Sequence, residues 1–282
     1  MLPYRRLQAP ALPYRNLTGT SQLVKQSVRS VVISGASAGL GRALALQYAI
    51  PERSLGLLGR DKARLEEAAA ACRARGAKAT TGAFDLLDGA ATGAWMQVFD
   101  AAHPIDLLIV NAGVFTGHGA DRAMETDDEI MAMLRTNLES ATTTISAALP
   151  MLRARRQGRI AIVGSLAALQ PLADAPAYSA SKSGLMSYGE ALREWLIPDG
   201  VAVTLIYPGH IPTNQVAHHV GALPMIMSAE VAAARIKSGL DRGRAFIAFP
   251  LALLWLIRAG RLLPWRLRAA VGASMRFHVD KE

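Results

Sequence analysis

Three side chains in the second half of the chain have the types and the spacing that proton transfer needs. Tyr178 and Lys182 are four residues apart, and residues at that spacing share one face of a helix. A lysine ammonium beside a phenol favours the phenolate and lowers the pKa of the tyrosine. Ser165 ends a strand-like run, thirteen residues before Tyr178, where its hydroxyl can bind the same oxygen. The set suits proton transfer at a carbonyl or alcohol oxygen, with a chance helix pair as the alternative.

A glycine-rich segment directly follows the first strand-like run, Val31–Ile33, and opens a helix-like segment. Its glycines permit a tight turn and a close approach of the backbone to a pyrophosphate. The N-terminus of the helix supplies free N–H groups and a favourable dipole to such an anion. The alternative explanation for the glycines is that they only allow the strand and the helix to pack tightly. The predicted contacts here are Gly35, Ser37, Ala38, Gly39, Leu40 and Gly41.

The end of the second strand-like run predicts which dinucleotide binds. An acidic residue at this point would hydrogen-bond a ribose 2′-hydroxyl, whereas an arginine accommodates a 2′-phosphate. Gly59 stands where the acid is expected, and Arg60 follows it. This charge logic favours NADP(H), with NAD(H) as the alternative cofactor and a solvated loop charge as the alternative reading of Arg60.

Strand-like and helix-like segments alternate from residue 30 onward, which predicts βαβ units in a parallel sheet with helices on both faces. Strands are predicted near 31–33, 54–59, 78–84, 105–110, 159–164, 201–207 and 244–249, and helices near 40–50, 61–75, 89–102, 127–149, 176–196 and 228–240. The fold class is therefore α/β, a Rossmann-type doubly wound sheet of about seven strands. These elements leave no room for a second domain.

The combined motifs resemble those of the short-chain dehydrogenase/reductase family. The motifs that carry the resemblance, in this order, are Gly35, Gly39, Gly41, Asn111-Ala112-Gly113, Ser165, Tyr178 and Lys182. The resemblance covers about residues 30–250 and implies hydride transfer between a nicotinamide and a small-molecule alcohol or carbonyl substrate. Epimerisation or dehydration ranks lower, because those branches usually carry different motifs or larger substrate domains.

The resemblance also implies roles for individual residues. Tyr178 is then the general acid in reduction and the base in oxidation, and Lys182 lowers its pKa and binds the nicotinamide ribose. Ser165 orients the substrate oxygen, and Asn137 holds a proton-relay water beside the lysine. The further cofactor contacts that the resemblance implies are Asp85, Leu86, Asn111, Ala112, Gly113, Tyr178, Lys182, Pro208, Gly209, Ile211 and Thr213.

Composition and charge exclude several other classes. The 282 residues carry a net charge of +9, which first suggests nucleic acid or a membrane surface. Residues 1–30 carry +5 and residues 235–282 carry +7, whereas the body between them carries −3. A nucleic-acid binder would more often show a basic stripe across its folded face, so we predict no nucleic-acid partner. The single cysteine, Cys72, excludes an internal disulfide framework, and no metal site is predicted.

The two ends are predicted to lie outside the catalytic domain, which spans residues 29–250. Residues 1–28 form an N-terminal arm without the apolar core of a secretory signal. Residues 251–282 form an apolar and basic tail, in which arginines alternate with leucine and tryptophan. Residues 250–270 suit peripheral contact with an anionic membrane, and packing on the body or on a second subunit is the equal alternative. We expect a cytoplasmic homo-oligomer, at the inner face of a membrane if the tail binds one.

Two function classes remain open from the sequence. The first is an NADP(H)-dependent reductase or dehydrogenase, and the second is a non-catalytic cofactor-binding or scaffold protein on the same fold. The complete set of Asn137, Ser165, Tyr178 and Lys182 favours catalysis. Apolar residues after the last cofactor motif, Met225 to Met227, hint at an apolar or lipid-like substrate.

Overall fold

The structure is a computed structural model, and it describes residues 27–212, 219–221, 225–272 and 276–279. Nearly all of the predicted N-terminal arm and the predicted nicotinamide contact Thr213 lie outside the described residues. Within those residues no helix has both the length and the apolar character needed to cross a bilayer.

Seven strands form one parallel sheet, in the spatial order β3-β2-β1-β4-β5-β6-β8. The strands are β1 (Ser30–Ser34), β2 (Ser54–Gly59), β3 (Lys78–Ala83), β4 (Leu107–Val110), β5 (Gly158–Val163), β6 (Val201–Pro208) and β8 (Phe246–Phe249). Every residue of β1 and β2 is buried, as expected for parallel strands that helices cover on both faces. The strand order reverses at β1 and β4, which confirms the predicted doubly wound sheet.

Nine helices surround the sheet or follow it in the described residues. They are α1 (Gly39–Tyr48), α2 (Lys62–Arg73), α3 (Gly89–Ala102), α4 (Asp127–Leu134), α5 (Ser140–Arg155), α6 (Pro176–Trp195), α7 (Ala229–Asp241), α8 (Leu251–Gly260) and α9 (Trp265–Gly272). One core layer joins α1, α2 and α7 to one face of the sheet. The other layer joins α3, α5, α6 and the inner side of α8 to the opposite face.

The helix predicted over 127–149 differs from the observed structure at two points. A π-helical turn, Arg135–Glu139, separates α4 from α5 and places Asn137 where its amide group reaches the backbone of Val114. The helix also runs through Pro150 to Arg155, because proline removes only one backbone donor and the flanking turns keep their bonds. It ends where Arg156 adopts a left-handed conformation ahead of Gly158.

A second, two-stranded sheet is present that the sequence did not predict. Strand β7 (His219–Gly221) pairs antiparallel with β9 (Phe277–Val279), near the C-terminal end of the chain. Its segments are three residues long, too short for a visible period-two pattern. The pairing brings part of the predicted tail back to the carboxyl edge of the main sheet, where Val279 N donates to His118 O.

Candidate active site

Helix α6 positions two of the predicted catalytic side chains. Pro176 occupies its first turn, where a missing N–H is harmless and the fixed φ suits the helix. The buried carboxylate of Glu125 accepts a hydrogen bond from Ala177 N at 3.1 Å, which satisfies one of the free donors of that turn. Tyr178 and Lys182 therefore project from a helix start that is fixed by its neighbours.

The Ser165 hydroxyl lies close enough to the Tyr178 hydroxyl to lower the pKa of the phenol by hydrogen bonding. Ser165 follows β5 and caps a short 3₁₀ turn, accepting from Ala167 N at 3.1 Å. Burial of the hydroxyl raises the pKa of Tyr178, although part of its side chain is exposed, and the bond from Ser165 opposes that rise. The direction is opposite to the lowering expected from Lys182, because desolvation of the phenolate is the largest influence and the opposing influence comes from Ser165.

Lys182 lies almost fully buried beside this pair, with 5% of its surface exposed. Its Nζ donates to Val163 O at 3.3 Å and lies 5.8 Å from the centroid of the Tyr178 ring. Burial lowers the pKa of Lys182 from 10.5 to about 8, because the charged form loses solvation. The structure thus brings Tyr178, Ser165 and Lys182 into one cluster, as their spacing predicted.

Asn137 lies fully buried behind the cluster, in the π-helical turn. Its Nδ2 donates to Val114 O at 2.9 Å and to Ser181 Oγ at 3.0 Å, and its Oδ1 accepts from Val114 N at 2.6 Å. A Cβ on Gly113 would lie 3.0 Å from Asn137 Oδ1 and 3.2 Å from Lys182 Nζ. Glycine at 113 therefore lets the asparagine and the lysine approach the same point of the backbone. The water-holding role of Asn137 stays a prediction.

The glycine-rich turn joins β1 to α1 in the geometry that a dinucleotide requires. Gly35 and Gly39 have φ values of +66° and +50°, which favour glycine. A Cβ on Gly35 would lie 2.7 Å from Ala112 Cα, and one on Gly41 would overlap Gly35 O. No side chain caps α1 at Ala38, so the first N–H groups of the helix can meet an anion. This cradle, which any side chain would fill, fits the pyrophosphate of a dinucleotide.

The predicted contacts on the neighbouring strands meet this turn at one edge of the sheet. Asn111 Nδ2 donates to Ser34 O at 3.2 Å and to Gly35 O at 3.3 Å, and Ser34 Oγ accepts from the backbone N–H groups of Asn111 and Ala112. Asn111 thus links the end of β4 to the end of β1. Its part in contacting a cofactor stays a prediction.

The other predicted contacts also follow carboxyl ends of strands. Arg60 is exposed directly after β2, and Asp85 is exposed after β3, where its Oδ1 accepts from Leu87 N at 3.0 Å. Leu86 beside it is buried. Pro208 is the last residue of β6, Gly209 and Ile211 follow it, and Gly209 N donates to Phe249 O at 2.8 Å. Topology therefore gathers the predicted cofactor residues among the described ones along one edge of the sheet.

Sequence reasoning missed an aromatic wall beside the tyrosine. The Phe115 ring meets the Tyr178 ring edge to face, with centroids 4.9 Å apart, and the Phe277 ring lies 6.0 Å from Phe115. The buried carboxylate of Asp174 holds Phe277 in place, since it accepts from Phe277 N at 3.2 Å and from Arg276 Nη1 at 2.6 Å. No local sequence pattern indicates the role of Phe277. Asp174, an acidic residue just before the helix start at Pro176, could have been identified from the sequence as a candidate for a structural or binding role.

Comparisons with known proteins agree with this geometry. The profile described as short chain dehydrogenase matches residues 29–221. An uncharacterized oxidoreductase of Myxococcus xanthus is 33% identical over 90% of this chain and 100% of that protein. The 3-dehydrosphinganine reductase TSC10B of Arabidopsis thaliana is 36% identical over 64% of this chain and 54% of its own length.

A solved structure extends the likeness to the folded chain. The short-chain dehydrogenase from Sphingobium yanoikuyae in complex with NADPH has a TM-score of 0.71 and 26% identity, covering 88% of this chain and 97% of that one. The family profile alone spans well over half of the chain. The chain therefore belongs to the short chain dehydrogenase family, and it is a dehydrogenase/reductase whose cofactor is a nicotinamide dinucleotide.

Proposed function

We propose that the chain interconverts an alcohol and a carbonyl compound with NADP(H), using Tyr178, Lys182, Ser165 and Asn137. The single observation that carries the proposal is the buried ammonium of Lys182, 5.8 Å from the ring centroid of Tyr178, with the Ser165 hydroxyl close to the phenol. A phenol next to a second hydroxyl and an ammonium can give or take a proton at one oxygen. If Lys182 served only to stabilise the fold, a charged ammonium would not need to be buried beside Tyr178.

The residues present fit the cofactor. Gly35, Gly39 and Gly41 leave room for the pyrophosphate, and the start of α1 faces it with free N–H groups. Arg60 is exposed directly after β2, where its guanidinium can form a bidentate hydrogen bond with a 2′-phosphate. The Sphingobium relative was solved with NADPH, which supports the same choice here. When bound, the cofactor supplies or accepts the hydride.

The chain's own side chains handle the proton and the substrate oxygen. Ser165 donates a hydrogen bond to the substrate oxygen and orients it toward Tyr178. Tyr178 gives its phenolic proton to that oxygen in reduction and removes a proton from it in oxidation. Lys182, charged below a pKa of about 8, stabilises the phenolate that forms in reduction. Asn137 fixes Val114 and Ser181, which border the lysine and the tyrosine.

The substrate class that fits best is an apolar or lipid-like carbonyl compound. Phe115 and Phe277 form an aromatic wall beside Tyr178. Met225 and Ile226, on the segment after β6, are about half exposed, at 49% and 54%. The Arabidopsis relative is named for a ketone of a long-chain sphingoid base, which supports this class. Apolar walls with few polar groups are what a hydrocarbon substrate requires.

Replacement of Tyr178 by phenylalanine tests the proposal. Tyr178→Phe removes the proton donor and keeps the ring, so we expect carbonyl reduction to fall roughly a hundredfold to ten-thousandfold. NADPH affinity, measured by fluorescence titration, should change little. The assay uses NADPH oxidation with a panel of ketones graded in chain length.

Tyr188→Phe is the matched control, because Tyr188 lies on the same helix and its hydroxyl bonds Ser146 rather than the cluster. We expect this variant to keep the wild-type rate. An unchanged rate in Tyr178→Phe would rule out the assigned role. A wild-type chain that binds NADPH but turns over no ketone or alcohol would favour the non-catalytic alternative.

A further inference from the structure

Large apolar side chains are exposed in one concentrated region of the molecule, the C-terminal apolar surface. This surface comprises the outer sides of α8 and α9 and the turn between them. Leu262 is 87% exposed and Trp265 is 67% exposed, values far above those of a packed side chain. Its apolar members are Leu251, Trp255, Leu256, Leu262, Leu263, Trp265 and Leu267. Soluble monomers seldom expose a concentration of large apolar side chains without a partner.

The inner side of α8 packs on the body of the protein, so the direction in which its outer side faces is set by the fold. Leu253 and Leu254 are buried in the core layer that also contains Leu166. Arg261, just past the end of α8, donates from Nη1 to Leu169 O at 3.1 Å. The helix is therefore held against the body, and its outer side is presented in a fixed orientation.

The charge of this surface is of one sign. Residues 251–272 contain four arginines and neither aspartate nor glutamate. The Arg258 guanidinium lies 5.3 Å from the Trp255 ring centroid, and that of Arg266 lies 5.6 Å from the Trp265 ring centroid. In each pair the arginine cation lies against the face of a tryptophan ring. Such pairs suit the boundary between lipid headgroups and acyl chains.

We propose that the C-terminal apolar surface binds the surface of an anionic phospholipid bilayer, with α8 and α9 lying in the plane of the interface. The leucines and indoles would enter the acyl boundary, and the arginines would pair with lipid phosphates. Helices of ten and eight residues are about half the length that spanning requires, so they lie on the membrane.

A second copy of the chain fits this surface less well. In a two-fold symmetric contact the same patch of each copy meets its counterpart. The four arginines of each copy would then converge, and the patch offers no carboxylate to pair with them. A bilayer that contains anionic lipid supplies both the apolar layer and the opposite charge, which is why the lipid surface is the occupant we propose.

The position of α8 connects this surface to the active site, a step that rests on the proposed function. A Cβ on Gly209 would lie 2.9 Å from Pro250, which precedes α8, and 3.6 Å from Leu166, which follows Ser165. Arg261 at the other end of α8 bonds Leu169 in the same segment. An apolar carbonyl substrate could thus reach Ser165 from the bilayer to which the chain is bound.

Vesicle flotation of the full chain tests the docking. We expect the wild-type chain to float with phosphatidylcholine vesicles that contain phosphatidylglycerol and to remain largely unbound with phosphatidylcholine alone. Arg258→Gln/Arg266→Gln should lower the partition coefficient roughly twenty-five-fold, at about fivefold for each charge. Trp255→Ser/Trp265→Ser should also weaken binding, and brominated lipid should quench tryptophan fluorescence in the wild-type chain but not in this variant.

Matched controls change equivalent groups elsewhere on the surface. Arg235→Gln/Arg242→Gln removes two exposed arginines outside the tail, and Trp195→Ser removes an indole that is 54% exposed. Both should bind vesicles like the wild-type chain. NADPH titration of every variant reports folding and the cofactor site separately from docking, so loss of the proposed function would not mimic loss of docking.

Two results would overturn the proposal. The first is a wild-type partition that is equal on neutral and anionic vesicles and unchanged in the tail variants. The second is a concentration-dependent dimer, seen by light scattering, that the tryptophan variant dissociates while the wild-type chain binds no vesicles. That second result would assign the surface to another copy of the chain.

Discussion

Lys182 is the residue whose chemistry depends most on its surroundings. The residue is 5% exposed, and its Nζ donates to a backbone acceptor, Val163 O, at 3.3 Å. Desolvation disfavours the charged form, so its pKa falls from 10.5 to about 8. The lysine is therefore protonated at neutral pH and loses its charge under mildly alkaline conditions.

This titration predicts the pH dependence of reduction. Tyr178 must be protonated to act as an acid, and its raised pKa keeps it so through the neutral and mildly alkaline range. Lys182 must be protonated to stabilise the phenolate, and that requirement fails first, at about pH 8. We expect kcat/KM for a ketone to be flat below this pH and to fall above it.

Lys182→Arg provides the decisive comparison. A guanidinium keeps its charge throughout the accessible range, so the fall near pH 8 should disappear even if the absolute rate is lower. Lys62→Arg, at an exposed position on α2, should leave the wild-type profile unchanged. A wild-type profile that stays flat well above pH 8, or a fall that survives in Lys182→Arg, would contradict the assignment.

At the scale of elements, β9 is the segment that we propose borders the substrate. Asp174, just before α6, receives both Arg276 and the backbone of Phe277, and Phe277 in turn packs on Phe115. A buried carboxylate that has a charged partner and a backbone donor is held in one place. The strand therefore fixes Phe277 against Phe115, whose ring contacts Tyr178.

Phe277→Ala should alter substrate choice without altering the cofactor site. Loss of the ring removes apolar contact area, so KM for a long-chain ketone should rise about tenfold, while KM for a short ketone and NADPH affinity change little. Phe277→Leu keeps much of the apolar surface and should restore most of the loss. An equal effect on short and long ketones would show that the residue acts on stability and not on specificity.

The sequence predicted the elements that rely on local patterns. The buried runs of β1, β2, β4 and β5 and the glycine turn lie where their apolar and glycine patterns indicated. The π-helical turn at Asn137 was missed, because it depends on amide bonds to Val114, twenty-three residues away. Phe277 was missed for the same reason, since its partners Asp174 and Phe115 are more than a hundred residues distant and no local period links them.

At the scale of the whole molecule, the net charge of +9 is unevenly distributed along the chain. The body between residues 31 and 234 carries −3, and the cofactor edge of the sheet lies within it. We propose that the cationic groups that matter for a dinucleotide are individual ones, Arg60 foremost, whereas the excess of positive charge belongs to the ends of the chain. On these two proposals, selection of the cofactor and attraction to a membrane surface would arise in separate parts of the chain.

This separation predicts how each cofactor changes global stability. A ligand that binds only the native chain raises the free energy of unfolding by about 2.7 kcal/mol at one hundred times its Kd, or roughly 5–10 °C in Tm. NADPH should give this shift at a concentration where NADH gives less, because Arg60 pairs with the 2′-phosphate. Differential scanning fluorimetry of the full chain measures both shifts.

Arg60→Gln should weaken NADPH binding about tenfold and leave NADH binding nearly unchanged, since only the charge-assisted bonds to the phosphate are lost. The two cofactors would then stabilise the variant almost equally. Arg64→Gln removes a second exposed arginine, four residues further along on α2 and paired with Asp61, and should preserve the wild-type preference. If NADH protects the wild-type chain as well as NADPH does, Arg60 does not select the cofactor, and the preference must be sought at Arg42, which is exposed in the first turn of α1 beside the same cradle.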